Sequence, residues 1–274
     1  MDYNYLREND SFFEWHKYFP LDVQYVKYAD SNPSVIAVGH KIDDVFQAYA
    51  NARASFMFAN SENFGELSGP NEISRLYTKT HFLTNALLEY AICLDISWQI
   101  VWAYIQPSSL EYLMKQKYKD MEKECTRDSV VAQLKCIISQ NGYGISEAQK
   151  LLDIITRFDN DEDTLKLRSI YNGIKHQGII HYEGLGANFT EVSISINGKT
   201  PPMLHRKSYT VEEIEELMFA YHKKFKDYVD EIISVIIPEG YLETTVGFET
   251  AINEIVKMNK AGISKSNSSE FGTC

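Results

Sequence analysis

Between Leu165 and Tyr182 the chain reads LKLRSIYNGIKHQGIIHY, and Arg168, Asn172, Lys175 and His176 are the residues there equipped for chemistry. A guanidinium and an ammonium stabilise charge on an oxyanion. An imidazole titrates near neutrality and can move a proton as general base or acid. At ~100° per residue on a helix, Arg168, Asn172 and Lys175 share a narrow polar stripe. Leu167, Ile170, Tyr171 and Ile174 form the apolar face. His176 follows Arg168 by eight positions, about 80° round and two turns along, where long side chains still converge. Gly178 is placed to end the helix as its C′ residue. Taken alone, the stripe also fits the solvated face of an ordinary amphipathic helix.

The elements that must hold this helix are mostly helical. A period of 3.6 in Val45, Phe46, Tyr49, Ala52 and Phe56 predicts a helix over Lys41–Asn60. The longest follows, Asn71 to Ile105, stopped by Pro107. From Phe82 to Ile105 it is apolar nearly all round, long enough for a membrane span. Asn85, Glu89, Asp95 and Gln99 interrupt it, so a buried central helix of a bundle is the expectation. An acid set among Ile92, Ile96, Trp98 and Trp102 calls for a partner or a shifted pKa. Asp95 and Glu89 are therefore candidate structural acids, with Arg168 the candidate partner of Asp95.

Residues 108–141 read as one or two helices, with Arg127 and Asp128 at the joint and Asp128 or Ser129 as N-cap. Ser146 is expected to cap a helix reaching Phe158. The acidic run Asp159–Asp163 then favours the positive end of the motif helix. After the motif, Val192, Ile194 and Ile196 alternate as in a strand, and Asn197-Gly198 predicts a small β-hairpin. Its second arm brings His205, Arg206 and Lys207 near the motif in sequence. Thr210 and Glu213 make a capping box for a helix to Ile237, and a last helix is expected from about Thr244 to Lys260. The aromatic-rich start (Phe12, Phe13, Trp15, Tyr18, Phe19, Tyr25, Tyr28) is expected to pack across the helical body, with an interface as the alternative. The fold class is thus all-α: a helical bundle with one long buried central helix and a small β-hairpin after the motif helix. Residues 1–261 read as one domain and 262–274 as a flexible tail.

Gly (14) and Pro (7) are few, which suits long helices. The net charge of −11 argues against broad non-specific nucleic-acid binding, which needs cationic surface. Cys93, Cys125, Cys136 and Cys274 show no CxxC pair and read as reduced thiols of a cytoplasmic protein. The polar start MDYNYLREND has no signal-peptide core. No Walker loop, GxGxxG, HExxH or GxSxG occurs, and the histidines show no metal-ligand spacing, so no cofactor and no metal are expected.

The motif helix resembles the signature helix of the HEPN superfamily, helical domains of many prokaryotic RNases and toxin–antitoxin systems. That signature is an Arg, often followed by Asn, with four to six residues between the Arg and a His. Asn172 and His176 match its Asn-x-x-x-His part. Tyr171 stands where the family commonly has Arg, and seven residues separate Arg168 from His176. The resemblance implies a homodimer with both motifs in a shared cleft, and metal-independent RNA cleavage by 2′-hydroxyl attack. His176 and Arg168 would then be catalytic, with Asn172 and Lys175 binding substrate. It also implies an antitoxin or other protein partner; that no membrane is expected follows from the polar interruptions of the long helix. The departures at Tyr171 and in spacing, with the acidic charge, favour the alternative of a non-catalytic HEPN-like dimer serving as a binding or scaffold module. A helical regulatory module unrelated to HEPN is the third reading.

Overall fold

Helix starts in this chain follow from residues that satisfy, or do without, the first free backbone amides. The structure, a computed structural model, describes residues 6, 14–61, 64–106, 122–140, 144–176, 178–185, 197–199, 208–245, 252 and 256. After a 3-10 turn at His16–Tyr18, α1 spans Asp22–Tyr28 and α2 spans Pro33–Ala59. α2 begins well before Lys41. Pro33 takes the first helical position, where a missing N–H costs nothing and the fixed φ suits a helix. α3 spans Glu72–Ile105, capped by Asn71, whose side chain accepts from the Ser74 amide at 2.8 Å.

α4 spans Arg127–Ser139. Its cap is Thr126, not Asp128 or Ser129: Thr126 Oγ1 accepts from the Ser129 amide at 3.1 Å, and Ser129 Oγ accepts from the Thr126 amide at 2.8 Å. α5 spans Ile145–Asp159 and starts at Gly144, whose φ of 85° is left-handed, so Ser146 lies inside the helix. α6, the motif helix, spans Glu162–His176. Asp161 Oδ1 accepts from the amides of Asp163 and Thr164 at 3.0 and 3.2 Å. At the other end the Gly178 amide bonds the Gly173 carbonyl at 3.1 Å, and Gly178, two places past His176, has a positive φ of 139°. α7 spans Val211–Ile236, with the Thr210–Glu213 capping box formed as expected.

The sheet among the described residues is a pair of two-residue strands, β1 (His181–Tyr182) and β2 (Ser208–Tyr209), and it is parallel. Asn197 (φ 52°) and Gly198 (φ 74°) have the two positive φ values of a type I′ turn. The strand expected at Glu191–Ile196, the residues His205, Arg206 and Lys207, and nearly all of the last expected helix lie outside the described residues.

α2 and α3 pack along each other, and α7 closes on α3, α5 and α6. The all-α bundle is thus formed, with α3 at its centre. Leu83, Leu87, Tyr90, Leu94 and Val101 of α3 are buried with Val45, Tyr49 and Phe56 of α2 and Tyr221, Phe225 and Tyr228 of α7. α3 is long and apolar enough to cross a membrane, but 67% of its most apolar stretch is buried within the protein, as in a core helix. Its burial is one-sided near the middle. Ile92 and Asp95 are exposed and Glu89 and Gln99 half-buried, because spacings of three and four put them on one stripe. Asp95 and Glu89 are therefore on the open face rather than enclosed. Trp15 is buried against Tyr49 and Phe225, and its indole donates to Asp230 at 2.7 Å. Tyr28 stacks on Tyr241. The described aromatics of the N-terminal segment thus pack on the body; Phe12 and Phe13 lie outside the described residues.

A buried imidazole ties α2, α3 and α7 together. His222 is 4% exposed and stacks on Tyr49 at 4.7 Å between centroids. Tyr49 Oη donates to the His222 carbonyl at 3.2 Å, so it accepts from Nε2–H at 2.9 Å. Tyr90 Oη then donates to the bare Nδ1 at 2.8 Å. With Nε2 donating and Nδ1 accepting, the neutral imidazole satisfies both ring nitrogens. Burial, with Arg53, Lys223 and Lys226 adding to it, pushes its pKa down to about 3. In the unfolded chain the value returns to about 6.5. Between these values the unfolded chain binds a proton that the folded one refuses, so stability falls as pH drops below about 6.5. Denaturant unfolding should lose about 2 kcal/mol from this group between pH 6.5 and 5. His222→Gln should be less stable at pH 7 and lack that part of the slope.

Candidate functional site

The polar stripe of α6 opens on a cavity of about 250 Å³ between α3, α4 and α6. Arg168, Asn172 and Lys175 form one wall, with Tyr171 beside them. α3 supplies Asp95, Trp98, Leu94 and Ala91. The start of α4 supplies Thr126, Arg127 and Asp128. The apolar side of α6 explains the orientation. Leu167 and Ile170 are buried, and Tyr171 and Ile174 pack on the core, which turns the opposite stripe outward.

Arg168 is held rather than free. Its guanidinium carbon lies 5.5 Å from the centre of the Trp98 ring, a cation–π distance. Its Nη1 is 3.5 Å from Asp159 Oδ1. Asp159 is 4% exposed, and its other oxygen accepts from Arg127 Nε at 2.5 Å. Arg127 also reaches Asp128 at 3.1 Å. The expected Arg168–Asp95 pair does not form, and Glu89 is no ion-pair partner of Arg168 either. The last residue of α5 is already buried between the two arginines and takes that role.

Asp95 nonetheless shares the cavity with Arg168 and Lys175. Desolvation raises its carboxyl pKa, while the positive charges of Lys175 and then Arg168 pull it back. Lys175 Nζ lies 6.0 Å from the Tyr171 ring centre. Trp98 is 7% exposed, and its indole N–H has no hydrogen-bond partner among the described residues.

The remaining candidates fall elsewhere. His176 ends α6, is exposed and does not line the cavity. Glu89 does not line it either. Among the described residues, no three His, Cys, Asp or Glu side chains gather as a metal-binding group. What converges is a set of donors suited to an oxyanion, two guanidiniums, an ammonium and an amide, with the carboxylates of Asp95 and Asp128 beside them.

Arg127, Trp98, Thr126 and Asp159 were not singled out as site residues by their types. Asp159 carried a signal nevertheless. Leu151, Ile155 and Asp159 recur every four residues, so Asp159 lies on the buried face of α5. A carboxylate on that face requires a cation.

Arg127→Met should strand Asp159 beside one distant guanidinium and cost about 3 kcal/mol in urea unfolding. Arg168→Met removes only the longer contact and should cost about 1 kcal/mol. Equal losses would mean that the two arginines share Asp159 evenly. Comparison of the chain with family models, with curated proteins and with solved structures finds no match.

Proposed function

We propose that this protein is a HEPN-like helical binding module whose α3–α4–α6 cleft receives an oxyanion, such as a phosphate of RNA, without cutting it. One observation carries this reading. Arg168, Asn172 and Lys175 line a common cavity, whereas His176 does not. A proton-transfer group has to lie within hydrogen-bond reach of the atom it serves. A cleft with cations and donors but no adjacent imidazole binds charge better than it breaks bonds. The buried Asp159 further commits the two guanidiniums to holding the fold together.

The ribonuclease reading is supported in one form. His176 is exposed and has no hydrogen bond or ion pair among the described residues. In a homodimer, which the resemblance implies, a second copy would complete a shared cleft around it. An antitoxin partner belongs to the same resemblance, and the cytoplasmic setting to the cysteine pattern.

Incubation with mixed-sequence RNA in EDTA decides between the two. The expected result is intact RNA, with binding of a short labelled RNA weakened at least about tenfold by Lys175→Glu, since one phosphate contact and its counterion release are lost and a like charge is added. Metal-independent cleavage that disappears in His176→Ala would overturn the binding-only reading and establish the ribonuclease.

A further inference from the structure

We propose that Asp95 is the built-in counter-anion of the α3–α4–α6 cleft, so that a tetrahedral oxyanion binds there together with one proton taken up from solvent by the Asp95 carboxylate. This rests on the oxyanion reading of the cleft and adds how the site is regulated.

The arrangement is a cation wall facing a single carboxylate across a small cavity. Asp95 stands on α3, and Lys175 and Arg168 stand on α6. From α4 the charged groups lining the cavity are Arg127 and Asp128, and these two pair with each other at 3.1 Å. Asp159 is hydrogen-bonded by Arg127 at one oxygen and lies within ion-pair reach of Arg168 at the other, which accepts no hydrogen bond among the described residues. Among the described residues, Lys175 and Asp95 have no direct ion pair. Their charges therefore act on each other through the cleft.

The coupling follows from these charges. Lys175 and Arg168 at present favour the ionised Asp95, against the desolvation that disfavours it. A doubly negative oxyanion cancels that help and adds like-charge repulsion. The carboxylate then takes up a proton and becomes a neutral acid that can donate a hydrogen bond to the anion. Affinity for the anion must rise as pH falls, and removal of the carboxylate must raise it at neutral pH.

Sulfate is a suitable probe because it does not titrate in the working range. Its binding to the full chain is measured by calorimetry at pH 5 and pH 7, at one ionic strength. Two buffers of different ionisation enthalpy report the protons taken up. The native chain should bind roughly tenfold more tightly at pH 5, with net proton uptake. Asp95→Asn, an exposed position whose folding is checked by circular dichroism, should bind about tenfold more tightly than the native chain at pH 7 and show no uptake. Sulfate binding without proton uptake in the native chain overturns this inference and leaves the oxyanion reading standing. Uptake that survives Asp95→Asn but vanishes in Asp128→Asn overturns it too. Absence of sulfate binding in both the native chain and Asp95→Asn overturns the inference and the oxyanion reading together.

Discussion

The carboxylate of Asp159 is the constraint around which the site is arranged. A buried ionised acid demands cations close by, because desolvation costs several kcal/mol unless it is offset. Arg127, from the first turn of α4, makes the short hydrogen bond, and Arg168, from the middle of α6, stands on the other oxygen. Three consecutive helices are thereby fixed at one point. Trp98 of α3 completes the arrangement by lying under the Arg168 guanidinium. Anything that binds in the cleft does so against guanidiniums already placed by the fold.

The cleft exists because α3 has two characters. Most of its length is core, packed between α2 and α7. Near its middle, the stripe of Glu89, Ile92, Asp95 and Gln99 faces outward. α4 and α6 approach that stripe and leave a cavity where Asp95 meets Lys175 and Arg168. The core of the bundle is aromatic. There Phe158 stacks on Tyr228 at 4.2 Å, and His222 is held between Tyr49 and Tyr90. The protein thus keeps one histidine, His222, neutral inside the core near neutral pH and another, His176, exposed at a helix end.

The sequence by itself determined the helices and most of their faces. The 3.6-residue period placed α3 and α7 almost to the residue, because an amphipathic or fully buried helix writes its environment into the spacing of its apolar residues. It also put Arg168, Asn172 and Lys175 on one stripe, and the cavity confirms that they share a surface. Helix starts were read less well. Pro33 and Thr126 differ from the expected starts because several neighbouring residues can each satisfy the first free amides.

Tertiary structure alone decided the partners. That Asp159, rather than Asp95, would hold Arg168 depends on how α5 and α6 meet, since both acids are one long side chain away in principle. The separation of His176 from the cavity was equally unreadable. On a single helix it lies two turns from Arg168, within reach on paper. The cavity, however, is bounded by α3 and α4 beside the stripe; it takes in Lys175 and leaves His176, the last residue of α6, outside. Spacing along one helix fixes which side chains share a face, but only the neighbouring helices fix which of them share an enclosed space.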